Sequence, residues 1–287
     1  MNWFFLALGT ASCEATKDLL SKKVLATQPA VVVTFWLCLL TALAMLPLLV
    51  WQGIPALNTT YWLALGSSTG LNTIAFLLYN RALKVTDLSL VVPLVTLSPL
   101  FMFFTSPLIV GEFGKWSDVG GSLLLVLGSY ILNWEKRSAG YWVPLRSIWE
   151  NPGPRQMLTV AFIWSFTANI DKVGIQNSSI LFWVLSLYST IALCLLGLMR
   201  WQGHRSTMQP PHPKLLKLVG CMGLIHALGI VLQMQALKLT LVVRVISVKR
   251  LSALIGVLLG SIFLGEKGLR HRLVGAGLMV AGVALLL

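Results

Sequence analysis

Ten runs of mostly apolar residues occupy most of this 287-residue chain. Each run is about 17 to 24 residues long, and about 20 apolar residues are enough for an α-helix to cross the hydrocarbon of a bilayer. The runs are continuous rather than alternating at period two, which argues against a transmembrane β-barrel. The sequence therefore predicts an all-α membrane protein with ten transmembrane helices, over 3–26, 30–51, 60–83, 88–110, 117–134, 157–175, 178–199, 215–237, 241–264 and 270–287.

The composition also indicates a membrane protein. Hydrophobic residues make up 56% of the chain and charged residues 11%, which is more apolar than a soluble domain of this size needs. The net charge of +13 would suit nucleic acid, but the basic residues lie mostly in short loops rather than on one continuous face. We expect the partners to be a lipid bilayer and a small-molecule substrate, with no nucleic acid, for a chain that is a monomer or a homodimer.

The sequence shows no arrangement typical of catalysis or metal binding. Its four cysteines are scattered one to a helix, without CxxC spacing, so neither a metal site nor a disulfide framework is expected. The loops are short and lack a nucleophile or metal-ligand constellation. We predict that the chain is not an enzyme and needs no cofactor. A polytopic membrane enzyme acting on lipid-linked substrates is the alternative from another class.

The sequence repeats itself after 154 residues. This shift places ALKVT (82–86) on ALKLT (236–240), Gly111-Glu112 on Gly265-Glu266, and glycines 114, 121 and 128 on glycines 268, 275 and 282. A similar shift with small gaps places Lys23 on Lys172. Each half holds five predicted helices, an odd number, so the two halves enter the membrane in opposite orientations. Inverted repeats of this kind are typical of secondary transporters, with the binding site near the midplane. We predict repeats over 1–134 and 157–287, joined by a basic interfacial linker over 135–156.

Several segments resemble those of a known family. YNRAL and MQALKLT end the third and eighth predicted helices, and LIVGE and IFLGE end the fourth and ninth. Together with the five-plus-five helix count, they resemble the drug/metabolite transporter superfamily, specifically its EamA-type branch. The resemblance covers essentially the whole chain and implies a transporter fold.

Two adjacent basic residues lie deep in the ninth predicted helix. Lys249 and Arg250 are eight and nine residues in, which is about 12 to 14 Å at the rise of a helix and close to the middle of a ~30 Å core. A charge there costs about 2.5 to 3.5 kcal/mol or more. Lys249 shares a predicted helix face with Ser252, Gly256 and Gly260. Either the pair binds an anionic group of a substrate, or it forms structural ion pairs. SVKR at this place resembles the Lys-Arg pair with which triose-phosphate and nucleotide-sugar translocators hold phosphate.

The first predicted helix carries two acidic residues one turn apart. Glu14 and Asp18 lie on one polar stripe with Thr10, Lys17 and Ser21, and such a stripe must face the bundle interior or water. The combination of Glu14 with a lysine eight residues further along resembles the first helix of the small multidrug resistance proteins of the same superfamily. This resemblance implies that the Glu14 carboxylate exchanges protons against substrate. We expect Glu14 and Asp18 to couple transport to protons, with structural pairing of Glu14 to Lys17 as the alternative.

Other polar residues are predicted to line a central cavity. The repeat aligns Asn72 with His226 and Tyr79 with Gln233 at matching depths, and Thr96 with Arg250. In the fourth helix the prolines at 93, 99 and 107 predict a kink near the midplane, because proline removes a backbone donor. In the sixth helix, Asp171 and Lys172 are expected to form a structural pair, and Asn169 is a weaker lining candidate.

These features together predict a secondary active transporter that moves a small anionic metabolite, with phosphorylated solutes included, by alternating access and with coupling to protons. The alternative within transport is an exporter of amino acids or amphipathic metabolites and drugs, in which the basic pair is structural. We expect a multi-pass protein of the cell (inner) membrane. Lys and Arg concentrate beside the odd-numbered loops, which the positive-inside rule makes cytoplasmic, leaving both termini outside. The family resemblance implies the reverse, with cytoplasmic termini.

Overall fold

The computed structural model describes residues 2–85, 94–132, 151–201, 213–256 and 269–287, and the regular secondary structure within these ranges is helical. A short helical segment over 252–256 follows the ninth of the helices named here. Numbered in chain order, the helices are α1 (Asn2–Leu25), α2 (Ala30–Gln52), α3 (Thr59–Val85), α4 (Ser98–Ile109), α5 (Trp116–Leu132), α6 (Pro152–Gln176), α7 (Ile180–Trp201), α8 (Pro213–Leu239), α9 (Val242–Lys249) and α10 (Leu269–Leu286).

Three stretches of the described chain are long and apolar enough to cross a membrane by length and composition. They are Ala30–Val50 in α2, Ile180–Trp201 in α7 and Leu215–Leu239 in α8. The long helices α1, α3 and α6 are less apolar because they carry buried polar side chains such as Glu14, Asn72 and Asp171. Polar groups buried inside a bundle must find partners in neighbouring helices, and these three helices supply much of the polar site.

The helices pair between the two halves of the chain. The most extensive contacts are those of α1 with α8, α3 with α6, α2 with α7 and α5 with α10. Within their own halves, α1 is the first helix and α8 the third, whereas α3 is the third helix and α6 the first. The other two pairs join the second helices and the fifth helices of the two halves. The pattern is therefore unchanged when the two halves are exchanged. Large side chains fill the space between the helices, among them Trp183, Tyr61 and Met102, all fully buried.

Four glycines bring α5 and α10 into backbone contact. A Cβ added at Gly121 would lie 2.6 Å from the carbonyl oxygen of Gly282, and one added at Gly128 would lie 2.6 Å from that of Gly275. Small residues permit such close approach between membrane helices. The 154-residue shift places Gly121 on Gly275 and Gly128 on Gly282, so the two contacts are equivalent under exchange of the halves. We call these four residues the glycine seam.

The fourth and ninth predicted helices are both interrupted, and at aligned positions. The fourth has a turn at Thr96–Leu97, and the ninth has a turn at Arg250–Leu251. In each turn a backbone amide donates three residues back, from Leu97 to Leu94 at 3.2 Å and from Leu251 to Val248 at 3.0 Å.

The kink predicted in the fourth helix is confirmed. Pro99 occupies the first turn of α4, directly after the interruption, whereas Pro93 lies outside the described residues. The continuous helix predicted over 241–264 is wrong, because α9 ends at Lys249. The face shared by Lys249, Ser252 and Gly256 therefore does not extend along one regular helix, and Gly260 lies outside the described residues.

Candidate functional site

A polar cavity lies between the two halves. Side chains of α1, α3, α6, α7, α8 and α9 line it, together with Arg250 from the turn after α9. Its volume of about 50 Å³ is room for only a few water molecules, so a metabolite can enter only if the helices move apart. Among the residues predicted from the sequence, six line it: Glu14, Asn72, His226, Gln233, Lys249 and Arg250.

The acidic residues of α1 are bound into a local network. Glu14 Oε1 lies 2.7 Å from Lys17 Nζ, and Lys17 Nζ lies 3.1 Å from Asp18 Oδ1. The hydroxyl of Tyr79 donates to Asp18 Oδ2 at 2.9 Å. The pairing of Glu14 with Lys17, which was the structural alternative, is therefore present, and Glu14 still reaches the cavity with its second oxygen.

Lys249 joins this network to α8. Its Nζ donates to Gln233 Oε1 at 2.8 Å and lies 3.7 Å from Glu14 Oε2. Lys249 is therefore held by one carboxylate and one amide.

Arg250 has a different environment. Its side chain is only 3% exposed, and Nε and Nη2 both donate to Ser98 Oγ, at 3.0 and 2.6 Å. Its guanidinium carbon lies 5.6 Å from the centre of the Trp164 ring. Across the described ranges, no carboxylate comes within salt-bridge distance of Arg250. The partners that surround this buried cation are thus a hydroxyl and an aromatic face.

Asp171 lines the cavity as a buried carboxylate. It is 6% exposed, and Ser68 donates to its Oδ1 at 2.8 Å while Asn72 donates to Ser68 at 3.0 Å. The predicted pairing of Asp171 with Lys172 is wrong, because Lys172 pairs with Glu112 instead. No cation of the described chain lies within salt-bridge distance of Asp171.

The remaining wall of the cavity is largely aromatic. Nε2 of His226 lies 3.0 Å from the hydroxyl of Tyr188, and the Phe76 ring lies 6.2 Å from the Tyr188 ring. The Trp164 ring lies 5.1 Å from the Tyr79 ring, measured between ring centres. It also lies near the basic groups of Lys249 and Arg250. The cavity therefore presents π faces beside its charged groups.

Several predicted site residues lie next to the cavity rather than on its wall. Tyr79 and Asp18 stand behind Lys17, Thr96 is buried in the turn before α4, and Ser252 is half-buried in the segment after Arg250. Their roles stay predictions. Asn169 bonds to Thr105 and to the Ser165 carbonyl instead.

Among the lining residues that the sequence reasoning missed, Trp164, Tyr188 and Asp171 matter most for the chemistry of the cavity. The two aromatic residues occur in apolar runs where packing in the core is the ordinary interpretation. Asp171 was assigned to Lys172 because the two are adjacent in sequence. A buried aspartate inside a long apolar run was itself the available signal.

An ion pair away from the cavity connects the halves. Lys172 at the end of α6 pairs with Glu112 of the segment between α4 and α5. Lys172 also donates to the carbonyl of Thr240 at 2.6 Å, and Glu112 accepts from the amide of Val242 at 2.9 Å. We call this group the Glu112 latch. It fixes the start of α9, the helix that ends in the basic pair.

The fold and the buried polar cavity define an integral, multi-pass, helical membrane protein. The model of the EamA-like transporter family matches residues 1–134 and again residues 153–287. The chain belongs to the EamA-like transporter family, and the resemblance to the EamA-type branch of the drug/metabolite transporter superfamily is confirmed. The likeness of SVKR to the phosphate-holding pair of other translocators stays a prediction.

Comparison with solved structures shows the same fold in another protein. One crystal structure aligns with a TM-score of 0.71 at 16% sequence identity, over 97% of this chain and 94% of that chain. At this identity the likeness concerns the fold alone. No curated protein sequence matches the chain.

Proposed function

We propose that this transporter moves a small solute bearing an anionic group, carboxylate or phosphate, which binds at Arg250 and Lys249. The observation that carries the proposal is the environment of Arg250, a buried cation in the cavity whose described partners are the Ser98 hydroxyl and the Trp164 ring. A buried charge without a counter-ion is costly. An anionic ligand would remove that cost, and the planar guanidinium suits two-point binding of either group.

Glu14 acts as the exchangeable counter-ion in this proposal. Its 3.7 Å separation from Lys249 is longer than its 2.7 Å contact with Lys17, so the bond to Lys249 is the looser of the two. An arriving anion takes the place of Glu14 beside Lys249, and a proton on Glu14, with Asp18 as the neighbouring acid, then keeps the site neutral. Transport of the solute is thereby coupled to protons.

Alternating access between two inverted repeats is the mechanism we propose for the movement. It is supported by the helix pairing, which is unchanged by exchange of the halves, by the glycine seam and by the aligned turns at Thr96–Leu97 and Arg250–Leu251. Interrupted helices at a midplane site are typical of secondary transporters. In this scheme the ten predicted helices all span the bilayer, as repeats over 1–134 and 157–287 joined by 135–156.

We propose that the protein lies in the cell membrane with both termini outside, because basic residues concentrate beside the odd-numbered loops and such loops stay in the cytoplasm. A pair of reporters fused after Leu287 tests this: one active only outside should work and one active only in the cytoplasm should be silent. The reverse result would favour the orientation implied by the family.

The anion site is tested with purified protein and a ligand panel of sugar phosphates, nucleotide sugars, carboxylates and cationic drugs, read by thermal shift at two pH values. We expect an anionic ligand to stabilise the wild type and to lose at least about tenfold in affinity in Arg250→Gln with Lys249→Gln, since a hydrogen-bonded charge contributes about 1.5 to 3 kcal/mol.

The control for this experiment is Arg200→Gln, which removes an exposed arginine at the end of α7. It should bind as the wild type does. If the double substitution left affinity and its dependence on ligand charge unchanged, the basic pair would be structural.

A further inference from the structure

Among the described residues, the cavity contains one charge of each sign that has no ion-pair partner. Glu14 and Lys249 face each other, and Lys17 and Asp18 balance each other behind them. Arg250 and Asp171 remain, both at least nine-tenths buried and both on the cavity wall. Within the described chain, neither has a counter-ion at salt-bridge distance.

The charged side chains of the site sum to zero when all are ionised. A net anion bound here therefore leaves a net negative charge in a low-dielectric interior, which is unfavourable, unless Glu14 takes up a proton at the same time. A solute with one negative and one positive group leaves the total at zero. It also supplies a counter-ion to each of the two unpaired residues.

We propose that the substrate is a small zwitterion, whose anionic group binds Arg250 and Lys249 and whose primary ammonium group binds Asp171. This inference rests on the anion site proposed above and extends it to the opposite charge. Asp171 accepts one hydrogen bond from Ser68, and a carboxylate has acceptor positions for further donors. An ammonium group has three donors to offer.

The surroundings of Asp171 suit an ammonium group. The aromatic rings of Phe76, Trp164 and Tyr188 line the same cavity, and such rings attract a cation through their negative faces. Asn72 and Ser68 form a neutral hydrogen-bonded chain that holds the carboxylate in place.

The test uses matched sets of three compounds that share a carbon skeleton. One set is L-leucine, 4-methylpentanoate and 3-methylbutylamine; another is L-phenylalanine, 3-phenylpropanoate and 2-phenylethylamine. A third is 2-aminoethyl methyl phosphate, ethyl methyl phosphate and ethylamine, in which the phosphodiester carries a single negative charge. Binding to the full-length wild type is measured by thermal shift and by calorimetry. We expect the tightest ligand of the panel to be a zwitterion, bound about tenfold or more tightly than its anion-only partner.

Two variants locate the preference. Asp171→Asn keeps the size of the side chain and should abolish the preference, so that zwitterion and anion-only partner bind alike, while Asp171→Glu should restore part of it. The control is Asp118→Asn, which removes a buried carboxylate that pairs with Arg244 away from the cavity. Unfolding temperatures of the ligand-free variants show whether each has folded.

The outcomes separate the two proposals. If the tightest ligand is an anion-only compound, or if Asp171→Asn keeps the preference for the zwitterion, the zwitterion inference is wrong and the anion site stands. If Asp171→Asn changes only the pH dependence of anion binding, Asp171 carries a proton and the inference is again wrong. If no compound with a carboxylate or phosphate binds, the anion site itself is contradicted.

Discussion

Replacing Lys172 by Met should destabilise the protein through the Glu112 latch. The two side chains are 9% and 15% exposed, so removal of the lysine leaves a largely buried carboxylate with the Val242 amide as its remaining described donor. Breaking a fully buried pair costs about 3 to 5 kcal/mol. Because Glu112 keeps some contact with solvent, we expect about 2 to 3 kcal/mol, or roughly 5 to 10 °C in the unfolding temperature.

A double-mutant cycle tests the reasoning. Thermal unfolding in detergent is measured for Lys172→Met, for Glu112→Gln and for both together. The free energy of unfolding of the double variant should exceed the value predicted from the sum of the single effects by about 1.5 kcal/mol or more, because the double variant has no uncompensated charge. Lys115→Met, at an exposed lysine near Glu112 in the same segment, should change little. Strict additivity of the two single effects would refute the latch as a coupled ion pair.

Three other substitutions have expected outcomes in thermal unfolding. Gly128→Ala places a Cβ 2.6 Å from a backbone oxygen of α10 and should lower the unfolding temperature. In the control Gly277→Ala the added Cβ meets nothing within 4 Å, so the unfolding temperature should change less. Equal effects of the two substitutions would contradict the close contact at the glycine seam. Tyr79→Phe removes the hydroxyl that donates to a carboxylate of α1 and should cost about 1.5 to 3 kcal/mol, and no loss would mean that the bond is absent. Ser98→Ala leaves Arg250 without its described hydroxyl partner and should make stability depend more strongly on added anions than it does in the wild type.

The helical architecture was readable from the lengths of the apolar runs, because hydrocarbon thickness sets helix length. The kink in the fourth helix was readable from Pro99. The turn at Arg250 has no local signal of this kind, since no proline stands there. Only the alignment of the two halves, which places Arg250 on Thr96, relates its position to the turn in the fourth helix.

The candidate site was predictable where a polar residue is conspicuous in an apolar run, as with Glu14, His226 and Lys249. Pairing was not predictable, because partners come from distant parts of the chain. Lys172 pairs with Glu112 rather than with the adjacent Asp171. Trp164 could not be recognised as part of the site from its sequence context, since only the fold places its ring beside Arg250.

The glycine seam has the geometry of an isologous interface between two identical subunits, since each glycine pair repeats the other with the roles of the halves exchanged. Such an interface holds its partners by surface complementarity and needs no peptide bond between them. The two halves should therefore find each other when they are made as separate polypeptides in the same membrane.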